Sequence, residues 1–260
     1  MNPNSPDTHD KNLAEAFDGQ AALFERAPVQ TDPAALDRLV RAAALADDSR
    51  LLDVGSGPGL VGLAFLEAGH RVTGIDLSEE MIARARARCA RFGERARFDR
   101  GSLYEMTAGD PFDAAISRYV LHHVADPSAF LRRQVELVRP GGLIILSDHT
   151  TDPDPDLAER HNAIERLRDR THTRNLSTGE IVDLFGFAGL VEISLVEEPF
   201  TLDFDEWFDR GTPDASKFEV RSLLAALPPI RGYSPVIDPS GGITIHCWRA
   251  IVRGRKSSDG

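Results

Sequence analysis

The stretch DVGSGPGLVG, residues 53–62, follows a short apolar run and carries four glycines in ten positions. A strand that runs into so glycine-rich a turn is typical of a backbone that passes close to a ligand, because glycine has no Cβ to clash. From Gly57 the stretch fits the dinucleotide pattern G-x-G-x-x-G, and Asp76 lies 19 residues further on, where an acid binds ribose hydroxyls in that motif. From Gly55 it fits G-x-G-x-G preceded by an acid, Asp53. No Gly-Lys-Ser/Thr follows, so the stretch is not a P-loop.

Short apolar segments alternate with helical patterns through the first 150 residues. Strands are predicted at 51–54, 71–76, 96–98, 112–117 and 143–148. Helices are predicted between them, and Ser78 and Asp126 are the residue types that start helices. This alternation is typical of a doubly wound α/β fold with a mainly parallel sheet. Because ligands bind at the carboxyl ends of such strands, we expect the residues that follow them to meet at one rim.

The two ends of the chain differ in composition from its centre. Residues 1–46 are predicted to form an N-terminal helical cap, and residues 47–260 the main domain. The first twelve residues and the tail 253–260 are polar, and we expect both to be mobile.

The pattern changes after residue 150. Ser177 and Glu180 form a capping-box pattern for another helix. Alternating apolar residues predict strands at 191–200 and 242–252. Between these strands, residues 202–232 are predicted to be a largely helical insertion.

Composition restricts the function classes. The chain of 260 residues has a net charge of −11, which argues against nucleic acid or an anionic membrane as the main partner. The two cysteines, Cys89 and Cys247, show no paired spacing, so neither a disulfide framework nor a zinc site is predicted. No apolar run approaches ~18 residues and the start is polar, so we expect a cytoplasmic protein.

Three segments together resemble the class I S-adenosylmethionine-dependent methyltransferases, in particular the small-molecule branch related to quinone-biosynthesis enzymes. They are LLDVGSGPG (51–59), GIDLSEEM (74–81) and PFDAAISRYVLHHVADPSAFLRRQVELVRPGGLIILSD (111–148). The resemblance implies a Rossmann-like, mostly parallel sheet of seven strands with an antiparallel last strand, an N-terminal helical cap and a helical insertion before that strand. It also implies S-adenosylmethionine as cofactor and a small molecule as methyl acceptor.

The cofactor has an adenosine, an amino-acid end and a sulfonium, and the rim residues suit these groups. Asp53 can act near the ammonium, Asp76 can accept both ribose hydroxyls, and Met81 and Leu103 can enclose the adenine. Relatives place Gly-Asp after the third strand, where the acid binds the adenine amino group; here Ser102 stands in that place, unless Asp99 serves. The predicted cofactor-binding residues are Asp53, Gly55, Ser56, Gly57, Gly59, Asp76, Leu77, Met81, Ser102, Leu103, Arg118 and His123.

Methyl transfer from a sulfonium is an in-line displacement, for which the protein mainly aligns the nucleophile and excludes water. A general base helps where the acceptor is a hydroxyl or an acidic carbon. The predicted catalytic residues are His149, His123 and Tyr119, chosen from a group that also contains His122. For His123 a structural or cofactor-contact role is the favoured alternative, and for His149 a solvated loop position is.

No metal is predicted. Asp148 with Asp152 and Asp154 offers oxygen ligands, but the segment DPDPD reads better as a loop and helix cap. The insertion 202–232 is predicted to form an acceptor lid for an aromatic or polyketide-like substrate, methylated on oxygen or carbon; its aromatic residues are Phe204, Trp207, Phe208 and Phe218. The alternative is that these side chains only anchor the insertion.

Two further functions stay open. A nicotinamide-dependent oxidoreductase would explain the glycines and Asp76, but no Tyr-x-x-x-Lys pair is present. The same fold and cofactor can also serve another reaction, such as cyclisation.

Overall fold

The computed structural model describes residues 6–107 and 109–258, which contain one sheet of nine strands. The strands are β1 (Arg50–Val54), β2 (Arg71–Asp76), β3 (Ala96–Arg100), β4 (Phe112–Arg118), β5 (Val138–Thr151), β6 (Leu176–Ser177), β7 (Leu190–Asp203), β8 (Tyr233–Ile237) and β9 (Ile243–Lys256). The helices are α1 (Pro6–Phe24), α2 (Pro28–Thr31), α3 (Pro33–Ala43), α4 (Leu60–Glu67), α5 (Glu79–Cys89), α6 (Pro127–Leu137), α7 (Pro155–Arg168), α8 (Thr178–Phe187), α9 (Phe204–Asp209) and α10 (Lys217–Ala225).

Seven of the strands form the main sheet, in the order β3-β2-β1-β4-β5-β9-β7. The first five strands pair in parallel, and β9 lies antiparallel between β5 and β7. The short strands β6 and β8 add to β5 and β9. The doubly wound α/β class, the seven-stranded sheet and the antiparallel last strand are therefore confirmed.

Helices cover both faces of the sheet. Successive side chains of a strand point to opposite faces, so each strand contributes to two apolar clusters. Leu52 packs in one apolar cluster with Phe130 of α6, and Leu51 packs in the other with Phe65 of α4. This double burial explains why the strands read as continuous apolar runs.

The helix starts agree with the sequence signals. The Ser78 hydroxyl accepts the backbone N–H of Met81 at the start of α5. Asp126 caps α6, and Ser177 and Glu180 form the predicted capping box of α8. The loop after β1 and the start of α5 are thus fixed beside each other at the rim of the sheet.

The prediction of mobile ends is wrong for the residues that the structure describes. Helix α1 already begins at Pro6, and β9 continues to Lys256. The Lys256 ammonium donates to the backbone carbonyls of Val135 and Val138. Pairing of this polar tail with β5 and β7 therefore outweighs its composition, which predicted a free end. Residues 1–5 and 259–260 lie outside the described part of the chain.

The predicted helical insertion is present as α9 and α10, between β7 and β8. Phe204, Trp207 and Phe208 are buried in an apolar cluster with α10, whereas Phe218 is 80% exposed. Among the described residues, none of the helices is long and apolar enough to cross a bilayer. The cytoplasmic location stays a prediction, as does the division into a cap and a main domain.

Candidate active site

A large cavity of about 630 Å³ lies at the carboxyl ends of β1, β2, β3 and β4. This volume is within the range of about 300–1,000 Å³ that is typical of sites for small molecules and cofactors. All of the predicted cofactor residues line it except Asp53 and Gly59. Helix α1 contributes a further wall, through His9, Asp10, Leu13, Phe17 and Phe24.

The three glycines of the first turn have left-handed backbones but serve different purposes. A Cβ on Gly59 would lie 2.9 Å from the Cα of Ala85, so this glycine lets α4 pack against α5. A Cβ on Gly55 would lie 2.5 Å from Cγ2 of Val120. A Cβ on Gly57 would meet nothing within 4 Å, and Gly57 lines the cavity. Packing therefore requires glycine at 55 and 59, whereas a side chain at Gly57 would enter the cavity.

Asp76 connects the first two loops of the rim. Its carboxylate accepts the backbone N–H of Gly57 at 2.8 Å and that of Ser78 at 2.9 Å. Burial raises the pKa of Asp76, and these N–H groups act in the opposite direction. A carboxylate has about four acceptor positions, so it can also accept hydroxyl groups from a ligand in the cavity.

Asp53 is only 1% exposed and precedes Val54, the first residue of the turn to line the cavity. Burial raises its pKa to about 7; the backbone N–H of Gly62 opposes this shift, and the charge of Asp76 adds to it. Neither Oδ2 of Asp53 nor Oγ of Ser56 has a hydrogen-bond partner in the described protein. Such buried polar atoms cost about 1–3 kcal/mol each when unpaired. Of the two residues only Ser56 lines the large cavity, so its hydroxyl is the one placed to meet a polar ligand group.

Arg118 also lines the cavity, but its guanidinium already has protein partners. It donates to the backbone carbonyls of Val29 at 2.8 Å and Gln30 at 3.0 Å. Arg118 thus ties the N-terminal helices to the end of β4.

Helix α1 is held across the cavity by polar contacts at several points. The Ser102 hydroxyl donates to Oδ2 of Asp10 at 3.1 Å, and the Ser78 hydroxyl donates to Oδ1 of Asp18 at 2.5 Å. Nε2 of His9 lies 2.9 Å from the backbone carbonyl of His123. The carboxylate of Asp10 therefore stands in the cavity wall, a position that the sequence did not predict.

A second cavity of about 40 Å³, which is space for about three water molecules, adjoins the first, and we call it the polar chamber. It shares Phe24, Gln30, Tyr119 and His123 with the large cavity. The rest of its lining is mainly polar and includes His122, His149, Glu165, Arg168, Asp169, His172, Asn175, Trp207 and Arg210. A polar group of a ligand that enters the chamber would therefore lie directly beside the large cavity.

The polar chamber contains a histidine–carboxylate pair. Nδ1 of His122 lies 2.6 Å from Oδ1 of Asp148, which is buried and also accepts the backbone N–H of His149. Burial alone would lower the pKa of His122, but the charge and hydrogen bond of Asp148 outweigh it and raise the pKa. The sequence placed both residues on the rim but did not pair them. The signal was available, since β4 and β5 are neighbouring strands, and His122 follows β4 while Asp148 lies near the carboxyl end of β5.

His123 and His149, which were predicted as catalytic residues from the sequence, have different surroundings. Burial and the neighbouring charge of His122 lower the pKa of His123 to about 4, and its Nδ1 lies 3.0 Å from the carbonyl of Thr171. Burial and the charge of His122 also bring the pKa of His149 well below its usual value. Neutral imidazoles of low pKa suit hydrogen bonding better than proton acceptance.

Tyr119 has a left-handed backbone, with φ +58°, which costs about 1–3 kcal/mol for a residue other than glycine. Its hydroxyl accepts from Nη1 of Arg249 at 2.7 Å, and Arg249 is in turn paired with Glu198 at 2.8 Å. Its ring packs edge-on against His149, with centroids 4.9 Å apart. The strained conformation places this ring between the two cavities.

The acidic loop after β5 has structural roles. Asp154 caps α7, and the Asp152 carboxylate accepts the backbone N–H groups of Asp154 and Arg231. In the part of the chain that the structure describes, no three His, Cys, Asp or Glu side chains are grouped as metal ligands.

The glycine turn after β1, the acid at the end of β2 and the cavity beneath them, on this sheet order, define a class I S-adenosylmethionine-dependent methyltransferase. Residues 29–195 match the methyltransferase-domain family, and the chain belongs to that family. The resemblance seen in the sequence, the enzyme class and the cofactor are thereby confirmed.

Relatives extend this result over most of the chain. YcgJ, a methyltransferase of Bacillus subtilis, is 28% identical over 241 residues, which cover 91% of this chain and 95% of YcgJ. The crystal structure of YcgJ superimposes with a TM-score of 0.77 at 25% identity, covering 86% of this chain and 98% of that one. A ubiquinone biosynthesis O-methyltransferase of Xanthomonas campestris is 33% identical over 164 residues, or 59% of this chain and 68% of that enzyme.

A more distant structure shares the fold alone. Geranyl diphosphate C-methyltransferase of Streptomyces coelicolor matches with a TM-score of 0.60 at 15% identity, covering 86% of this chain and 79% of that one.

Proposed function

We propose that the protein transfers the methyl group of S-adenosylmethionine to a hydroxyl group of a small aromatic acceptor that lies in the large cavity beside the cofactor and points this hydroxyl into the polar chamber. The observation that carries this proposal is the His122–Asp148 pair, 2.6 Å apart, in a chamber that adjoins the large cavity. The similarity to a ubiquinone biosynthesis O-methyltransferase supports methylation on oxygen.

The large cavity would hold the cofactor. Asp76 is placed to accept the ribose hydroxyls, and the open side of Gly57 lets the backbone approach the ligand. The unpaired hydroxyl of Ser56, which lines the cavity, suits the amino-acid end of the molecule. Met81 and Leu103, both buried cavity residues, would enclose the adenine.

When bound, S-adenosylmethionine supplies a methyl group already activated for in-line displacement. His122 donates its Nδ1 proton to Asp148, which leaves Nε2 to accept the proton of the acceptor hydroxyl. The negative charge of Asp148 then stabilises the imidazolium that forms, and it holds the ring in the required tautomer.

Exclusion of water is the second task of the protein. Helix α1 covers the large cavity, and Trp207 and Arg210 of the insertion line the polar chamber. The proposed lid is therefore the α9 side of residues 202–232, without the exposed Phe218. The aromatic walls formed by Phe24, Tyr119 and Trp207 favour a flat acceptor.

The test is to incubate the protein with deuteromethyl-labelled cofactor and a panel of phenols, matched anilines and enolisable diketones. Mass spectrometry should detect S-adenosylhomocysteine together with a labelled phenol ether. Labelled amines alone would contradict the O-methylation, and a product without transfer of the label would show another reaction on the same fold. Tight nicotinamide binding without S-adenosylmethionine binding would overturn the assignment as a whole.

A further inference from the structure

We infer that Asp10, on the N-terminal helix, supplies the carboxylate that accepts a hydrogen bond from the exocyclic amino group of the cofactor's adenine. Asp10 is half-buried and lines the large cavity next to Ser102, whose hydroxyl donates to its Oδ2 at 3.1 Å. Among the described residues, that hydroxyl is the one hydrogen-bond partner of the carboxylate. The remaining acceptor positions of Asp10 are therefore available to a ligand.

The neighbouring residues indicate which part of the ligand lies here. Leu103 and Met81 are buried apolar residues of the same cavity and would enclose a flat ring. The ribose acceptor Asp76 also lines this cavity and is fixed at the end of β2. A purine that extends from Asp76 between Leu103 and Met81 would bring its amino group towards Ser102 and Asp10. That amino group is a hydrogen-bond donor, so it requires an acceptor at this place.

Other acids near this end of the cavity are committed elsewhere or exposed. Asp99 pairs with Arg97 at 2.6 Å and does not line the cavity, so it is not the missing acid. Asp126 is exposed and caps α6. Glu105 lines the cavity but is exposed, and the Ser102 hydroxyl donates to Asp10.

The Ser102 hydroxyl donates a hydrogen bond to the Asp10 carboxylate, and the charge of that carboxylate holds the hydroxyl in place. The loop after β3 has no carboxylate at this place, and α1 provides one instead. As a consequence, α1 would be a ligand-binding element as well as a cover, and recognition of the base would depend on its docking.

The inference rests on the proposed placement of the cofactor in the large cavity, but not on the identity of the acceptor. Its test measures affinity rather than activity. Calorimetry compares S-adenosylhomocysteine with S-inosylhomocysteine, in which the amino group is replaced by a carbonyl. A hydrogen bond to a charged group predicts that the folded wild type prefers the adenine compound by about tenfold or more.

The variant Asp10→Ala should reduce this preference to less than about threefold, mainly by weakening the binding of the adenine compound. The double variant Asp10→Ala, Ser102→Asp returns a carboxylate to the same place and should restore the preference. Asp10→Asn, which keeps an acceptor without the charge, should fall between these values.

Asp18→Ala is the matched control, because Asp18 also docks α1, through Ser78, but does not line the cavity. Asp18→Ala should weaken the binding of both compounds equally and leave the ratio of their dissociation constants unchanged. An unchanged ratio in folded Asp10→Ala, or an equal loss of ratio in Asp18→Ala, would overturn the inference. Failure of the cofactor placement itself would appear differently, as normal affinity for both compounds in folded Gly57→Val.

Discussion

His122 and Asp148 are joined through Nδ1 and Oδ1 at 2.6 Å, across the ends of the neighbouring strands β4 and β5. Asp148 is buried, and its Oδ1 also accepts the backbone N–H of His149, so the carboxylate is fixed by its own strand. His122 lies in the short turn after β4, and a carboxylate on β5 orients its imidazole.

Replacing His122 with alanine should lower kcat for a phenolic acceptor by about 10²–10⁴-fold, which is the usual contribution of a general base. The dissociation constant of S-adenosylmethionine should remain within about twofold, because His122 lines only the polar chamber. Initial-rate assays with labelled cofactor measure kcat, and calorimetry measures the dissociation constant of S-adenosylmethionine. His246→Ala, an exposed position on β9, is the control and should be normal. A His122 variant with normal kcat would remove this residue from the mechanism.

The pH dependence should follow from the raised pKa of His122. The residue must be neutral to accept a proton, so kcat/KM should rise with pH through a value above the 6.5 of an ordinary histidine. In Asp148→Asn the attractive charge is lost, so this rise should move to lower pH while the maximal rate falls. A profile of kcat/KM between pH 5 and pH 9 measures both effects. The same rise at the same pH in both proteins would assign it to another group.

The parallel half of the fold could be predicted because its information is local. Buried strands such as 51–54 are apolar runs, and the Ser78 cap lies three residues before the Met81 N–H that it accepts. The cofactor rim followed from these strands, since their ends must meet at one edge. The positions of Gly57 and Asp76 in the cavity wall are the clearest result of this reasoning.

The rest depends on contacts between distant parts of the chain. Asp10 and Ser102 are 92 residues apart, and a polar helix gives no local sign of what it covers. The polar end of β9 is ordered by pairing with β5 and β7, which composition does not reveal. Asp148 raises the pKa of His122 against the effect of burial, whereas burial and the charge of His122 lower the pKa of His149. These neighbours become known only from the packing.

Gly57→Val should abolish cofactor binding, because its side chain would enter open space in the cavity wall. The left-handed backbone, with φ +51°, adds strain of about 1–3 kcal/mol to the folded state. Gly69→Val is a matched control, since Gly69 also has a positive φ of +102° and open space around it but does not line the cavity. Both variants should lose stability in thermal unfolding, and only Gly57→Val should lose binding in calorimetry. Normal affinity in a folded Gly57→Val protein would contradict the proposed cradle.

Asp53→Asn should change how stability depends on pH. Burial raises the pKa of Asp53 from 3.8 to about 7, so the contribution of this group to stability is full below pH 3.8 and is lost as pH rises through about 7. Relative to the wild type without cofactor, the Asn variant should gain stability between pH 4 and pH 8, by about 4 kcal/mol. Urea unfolding at the two pH values gives this difference. A difference of zero would show that Asp53 is ionised in the folded protein throughout this range.

Trp207 tests whether the insertion contacts the acceptor or only anchors itself. The side chain is 2% exposed, its backbone carbonyl accepts from the Arg168 guanidinium, and it also lines the polar chamber. Trp207→Ala would remove so much buried volume that a loss of about 3–5 kcal/mol would obscure the kinetics. Trp207→Phe retains an aromatic ring and should raise the KM of the acceptor several-fold, with the dissociation constant of the cofactor unchanged.

The control for Trp207→Phe is Phe204→Leu, a buried position on the same helix that does not line the chamber. Both variants should lose some thermal stability, since both belong to the same apolar cluster. Steady-state kinetics at a temperature where both are fully folded then separate the two roles. A raised acceptor KM in Trp207→Phe alone supports the lid, because only that side chain reaches the chamber. Equal effects of both variants, or normal KM in both, would mean that these aromatic residues serve only to anchor the insertion.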